Sequence, residues 1–335
     1  MRHLIGYTAI AVTLLAACGD TEAPDAARSS FDAVEVSTNL ETAQLALANE
    51  AWQSLRGLGP RFGRIAGGFT LAGQARIVAP QLPPAVRGTT FVIDSASLEY
   101  VADPSRAGAP GNGVRFMLYA IDPSTQQPLP GREIGYADLT DEGSPAGPGI
   151  ALRLRVVTGG ITRLEYGVAV VGTDSAATLQ AAGFTTTGAS RVEFRVGVVG
   201  MRAADTTANE VQFAIGIPSK AFHATATLQH AALSGDSAGA IALNVRQGFN
   251  QVGMLAHATP SQIEAVFQIN GIPFATAQGD PGHPDVRGAD GRDLTPAEAH
   301  ALIGIHLLVG RVAEMFDGLM RPVGGMLAVG AGQPT

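Results

Sequence analysis

QIEAVFQINGIPFAT (residues 262–276) decides the fold. Ile263, Ala265, Phe267 and Ile269 alternate with Glu264, Val266 and Gln268, so one side of an extended chain is apolar and the other mostly polar. Asn270-Gly271 follows, the pair best suited to a type I′ turn because both of its central residues need positive φ. A hairpin is expected, with strands 262–269 and 272–276. The same period of two recurs upstream in Val114, Phe116 and Leu118, in Ile150 to Val156, Val192 to Val198, Val211 to Ile217 and Ile241 to Val245. The opposite phase holds Arg153, Arg155, Glu193, Arg195, Gln212, Asn244 and Arg246, and a further strand sets His223, Thr225, Thr227 and Gln229 against apolar neighbours. Strands with one greasy and one wet face belong to an antiparallel sheet, here of about 12 to 14 strands running from Phe69 onward.

Turn chemistry refines the pattern. At Gly159-Gly160, a three-residue loop (Gly159 to Ile161) pairs Arg155 with Glu165, Leu154 with Tyr166 and Val156 with Leu164, matching polarity in every row. That loop is the expected one. Tyr100 to Ser105 and Tyr119 to Ser124 share an Asp-Pro-Ser ending, which predicts shared turn chemistry rather than a duplicated site.

Two helices frame the sheet. Leu40, Leu47, Ala51, Leu55 and Leu58 repeat at helical spacings over 38–58, with Gly59-Pro60 as the stop. Near the C-terminus, Thr295 reads as an N-cap, Pro296 as the first helical residue and Glu298 as the partner of a capping box. Leu302, Ile305, Val309, Val312, Phe316 and Leu319 then form an apolar seam suited to docking on the sheet. Arg311, Glu314 and Asp317 speak against a transmembrane helix, at roughly 3 kcal/mol each near a bilayer centre.

The chain begins with Met1-Arg2-His3 and an uncharged run from Leu4 to Leu15, the charge and length of a secretory signal rather than of a membrane span. The run ends in Leu15-Ala16-Ala17-Cys18, which resembles the lipobox of bacterial lipoproteins. The resemblance implies cleavage before Cys18 and lipidation of that cysteine. It divides the chain into a signal peptide (1–17), the acylated Cys18 with a polar tether (18–30) and one domain (31–335). Gly19 rather than Asp follows the cysteine, which by the same resemblance favours the outer membrane facing the periplasm.

Composition narrows function. Charged residues are only 15% of the 335, the net charge is −7 and there is one lysine, Lys220, so no basic surface for nucleic acid is expected. A lone cysteine leaves no disulfide framework, and the seven histidines show no metal-ligand spacing, so neither metal nor cofactor is expected. Aromatics at 6% are too few for the two girdles of a membrane barrel. Asp285, Asp290 and Asp293 surround Gly291 but miss the calcium-loop pattern and read as an acidic loop before the capped helix. Gly235-Asp-Ser237-Ala-Gly239 resembles the nucleophile elbow of esterases related to hormone-sensitive lipase, yet its flanks alternate as strands and no HGGG-type loop exists, so a hairpin loop is the better reading.

The expected architecture is α+β, mainly β: a large antiparallel meander curled around the C-terminal amphipathic helix, with the N-terminal helix on the same side. Its outline resembles the half-barrel lipoprotein carriers of the LolA and LolB type. The expected role is a lipid-anchored envelope protein without catalytic activity, structural or interacting. The alternative is a carrier of an acyl chain or other apolar ligand along the seam, and a serine esterase using Ser237 comes last.

Overall fold

The computed structural model describes residues 31–47, 54–55, 82, 84–143, 149–172, 176–186, 190–203, 206–233, 236–259, 261–281 and 283–308. Among these, fifteen strands form one sheet: β1 (Thr90–Ile93), β2 (Tyr100–Ala102), β3 (Gly113–Ile121), β4 (Pro128–Asp141), β5 (Gly149–Thr158), β6 (Ile161–Gly172), β7 (Ala176–Thr186), β8 (Arg191–Ala203), β9 (Thr206–Ile217), β10 (Phe222–Leu233), β11 (Asp236–Gln247), β12 (Asn250–Ala258), β13 (Ile263–Ile269), β14 (Ile272–Gly279) and β15 (Asp285–Gly288). From β3 to β15 every strand pairs antiparallel with the next, as the expected meander requires. The exception is β1, which pairs antiparallel with β2 but parallel with β3, because the chain leaves the edge strand β2 and crosses over through 103–112 before rejoining the sheet. The fold is α+β, mainly β, with an open sheet whose edges are β15 and β2.

Alternation decides which face is buried. Val114, Phe116 and Leu118 of β3, Val192 to Val198 on alternate positions of β8, and Ile263, Ala265, Phe267 and Ile269 of β13 are all buried, and they join one continuous cluster with residues of both helices. The first helix, α1 (Ala33–Leu47), begins five residues before the expected start at Thr38. Asp32 supplies the missed signal: its Oδ1 accepts the Glu35 amide at 2.9 Å, an N-cap that satisfies a free helical donor. Val36, Leu40, Ala43 and Ala46 face the core, while Ser54 and Leu55, further along, are helical and buried.

The sheet curls around α1. Phe31 packs its edge on Phe274 of β14 with centroids 5.6 Å apart, Asn39 bonds Gln247 of β11, and the Ala46 carbonyl accepts the Thr185 hydroxyl of β7 at 3.0 Å. Strands β14 to β7 span about 34 Å at ~4.8 Å per step, whereas residues 31 to 46 of a helix rise only about 22 Å. A flat sheet cannot meet the helix at both places. Among the described residues α1 thus crosses the concave side from β14 to β7, and the C-terminal helix shares that core through Leu302, Ile305 and Leu308. The C-terminal helix, α2, is described over 296–308 and packs beside α1, with His300 3.8 Å from Glu41.

Two turns show how register is held. Asn270 and Gly271 both take positive φ (52° and 82°), as the type I′ expectation demands. At Gly159-Gly160 the expected rows appear, Arg155 opposite Glu165, Leu154 opposite Tyr166 and Val156 opposite Leu164. The device differs from the expected three-residue loop. A two-residue turn with φ of 57° and 75° pairs Thr158 with Ile161, and a bulge at Arg163 then restores the polarity match. Both Asp-Pro-Ser endings use the same Asx turn: Asp103 accepts the Ser105 amide and hydroxyl, and Asp122 those of Ser124, which holds each carboxyl below the usual range.

Candidate functional site

A recess of about 380 Å³ opens at the end of the sheet where α1 begins. Its floor is apolar, made by Val36 of α1, Val245 of β11 and Val252 of β12, all buried. Its rim is mixed, with Glu35, Lys220, Gln247 and Phe249. A shallower opening of about 630 Å³ continues past Asp32 and Asn250 to Thr295 and Glu298 at the start of α2.

Local sequence explains the shape. Asp32 caps α1 and Phe31 anchors on Phe274, fixing where the chain arrives. Gly248 takes a positive φ of 57° in the β11–β12 turn, and its amide donates to the Ala221 carbonyl at 3.2 Å, tying two adjacent turns together. A hydrogen-bond chain lines one wall: Asn39 Nδ2 donates to Gln247 Oε1 at 2.7 Å, and Gln247 Nε2 donates to Glu35 Oε1 at 2.8 Å and to the Lys220 carbonyl at 3.1 Å. On the far side the capping box is formed, with the Thr295 amide donating to Glu298 Oε2 at 2.7 Å and the Glu298 amide donating to Thr295 Oγ1 at 3.3 Å. One hydroxyl–carboxylate pair lies in this lining, the Thr295 hydroxyl donating to Glu298 Oε2 at 2.8 Å as part of the cap of α2. The recess offers apolar contact below and amide and carboxylate groups above.

The residues singled out from sequence are scattered. Cys18 lies outside the described residues, as do Val309, Val312, Phe316 and Leu319 of the seam and residues 69–81, where strands were also expected. Leu302 and Ile305 are fully buried in the common cluster, joined by Leu308. Asp236 to Gly239 lie inside β11, with Ser237 opposite Ala232 of β10, and the chain continues as strand to Gln247. Asp236 and Ser237 are therefore strand rather than part of the expected hairpin loop, and strand, not helix, follows the serine as far as Gln247. Asp285 belongs to the edge strand β15, not to a loop, and pairs with Arg287, whereas Asp290 pairs with Arg292 and accepts its amide. His223 and His257 lie on exposed strand faces, and His306 turns Nε2 to the Pro281 carbonyl at 3.0 Å, away from the His300–Glu41 contact. Among the described residues no three of His, Cys, Asp and Glu gather as a metal site, and no helix is long and apolar enough to cross a membrane.

Sequence reasoning missed the recess and Phe249. The available signal was Gly248-Phe249 between two alternating runs, an aromatic where a turn ordinarily takes Asn, Asp or Gly. Comparison with protein-family models, with curated proteins and with solved structures finds no match.

Proposed function

We propose that the chain is a lipid-anchored envelope protein, tethered through Cys18 and acting by presenting a stiff β-sheet surface rather than by catalysis. The observation that carries this reading is the continuous core: Val36, Leu40 and Ala43 of α1 and Leu302 and Ile305 of α2 occupy the apolar face of the sheet. Close packing of that kind leaves the outer face and its turns as the working surface. The lipobox Leu15 to Cys18 supports a membrane position, and Gly19 supports the outer membrane facing the periplasm. Cys18→Ser tests the anchor. An uncleaved or soluble chain is expected on fractionation, and normal maturation with unchanged membrane partition contradicts the reading.

A second reading, a carrier of an acyl chain or similar apolar ligand, is favoured by the recess alone. Its volume of about 380 Å³ and its valine floor suit a small apolar group. Val252→Trp fills that floor, and loss of a co-purifying lipid with retention of folding supports the carrier.

A further inference from the structure

We propose that Phe249 is a membrane-contacting residue that orients the domain, so that the sheet end carrying the start of α1 faces the bilayer. The inference rests on the lipid-anchor reading of Cys18 and adds a second contact to it. The side chain of Phe249 is 105% exposed, so it touches essentially nothing of its own domain. It stands at the tip of a two-residue turn whose conformation Gly248 supplies and which a polar residue would fill as well. A phenyl ring held fully in water at a turn tip gains nothing for the fold. It gains on burial elsewhere.

The chain's own layout names the occupant. Strand direction alternates, so the turns 159–160, 218–221, 248–249 and 270–271 share one end of the sheet. The start of α1 is at that end too, since Phe31, Asp32 and Glu35 line the same recess as Phe249. Phe31 is thirteen residues from Cys18, a span of at most about 45 Å fully extended. An acyl anchor at Cys18 thus raises the effective concentration of this end against the bilayer above that of the far end, a strand length of about 40 Å further away. Ile161, 48% exposed beside its own turn, and Lys220, exposed one turn from Phe249, add a second apolar tip and a cation for lipid headgroups. Asp32 and Glu35 also border the recess, so the contact is apolar first and only weakly dependent on lipid charge.

Because acylation consumes the lone cysteine, Ser219→Cys, in the exposed turn beside Phe249 and leaving that ring in place, and, at the opposite end, Ser261→Cys each carry a single free thiol for a nitroxide label. The full acylated chain is reconstituted in phosphatidylcholine–phosphatidylglycerol vesicles, and collision rates with oxygen and with a water-soluble nickel complex are read from saturation. The oxygen-to-nickel ratio at 219 is expected several-fold above that at 261, and Phe249→Ser in the 219-labelled chain is expected to lower it. Equal ratios in a chain that floats with the vesicles overturn the orientation while leaving the anchor standing, and also point Phe249 to a protein partner. A chain that does not float overturns the lipid anchor, and this inference with it.

Discussion

Across β3 to β6 the outer face carries Arg115, Asp138, Arg155 and Glu165, each directly opposite the next. Across β8 to β12 the outer face instead carries rows such as Gly197, Gln212, Thr227 and Ala242, and Arg195, Ala214, Thr225, Asn244 and Gly253. The first flank is knitted by charge: Arg115 grips Asp138 with two bonds of 2.7 and 2.9 Å and stacks on Tyr136, Arg106 holds Glu133 at 2.8 and 2.6 Å, and Arg153 bridges Glu142 and Glu165. The second is small and mostly neutral. Yet the inner faces match, with Val114, Leu139, Leu154 and Tyr166 in one half and Val196, Phe213, Ala226, Leu243, Met254 and Phe267 in the other, all buried in register. The fold lives on the inner face, and the outer face is free to differ.

The widest test of that equivalence is a large-to-small change in each half. Phe116→Ala and Phe267→Ala, both fully buried, should each cost about 3–5 kcal/mol in denaturant unfolding, since each leaves a cavity in the shared core. A mild effect in only one half would mean the two halves do not share one core. Next in size are the outer faces. Asp138→Ala strands the largely covered Arg115 guanidinium and should cost about 1–3 kcal/mol, whereas Thr227→Ala should stay within about 0.5 kcal/mol. Equal costs would erase the contrast between the flanks. Thr295→Ala removes one side of the capping box and should cost about 1 kcal/mol, fraying α2 as read by amide exchange over 297–299.

The smallest effect is electrostatic. The Ser124 hydroxyl and amide favour the ionised Asp122, so its folded pKa lies below its unfolded value of about 3.9. The stabilisation is present above that value and fades as pH falls through the folded one. Ser124→Ala should raise the Asp122 midpoint in a carbon-detected NMR titration and leave Asp103 where it is. A common shift of both would break the view that each turn is an independent copy of the same chemistry.

Most of the sheet was legible because a period of two survives in the residues themselves: Ile263 to Ile269 and Val192 to Val198 announce which face is buried. The capping box at Thr295 and the turn at Asn270-Gly271 were equally local, each needing only residues adjacent in sequence. What escaped had non-local or compensating causes. The bulge at Arg163 hides because it preserves the pairing that a different loop would also produce. The parallel contact of β1 with β3 depends on a crossover that no local pattern encodes. Residues 285–288 become strand only because β14 offers an edge. The recess joins Val36, Val245 and Val252, more than two hundred residues apart in part, and its valines read in sequence as ordinary core.

Native mass spectrometry of the mature chain, released gently from membranes, tests the central claim that the concave face is filled by the protein's own helices. A single mass series is expected, the chain from Cys18 with its covalent acyl groups and no further bound lipid. A second series carrying one non-covalent lipid, lost in Val252→Trp while the fold persists, would contradict the filled core and make the chain a carrier.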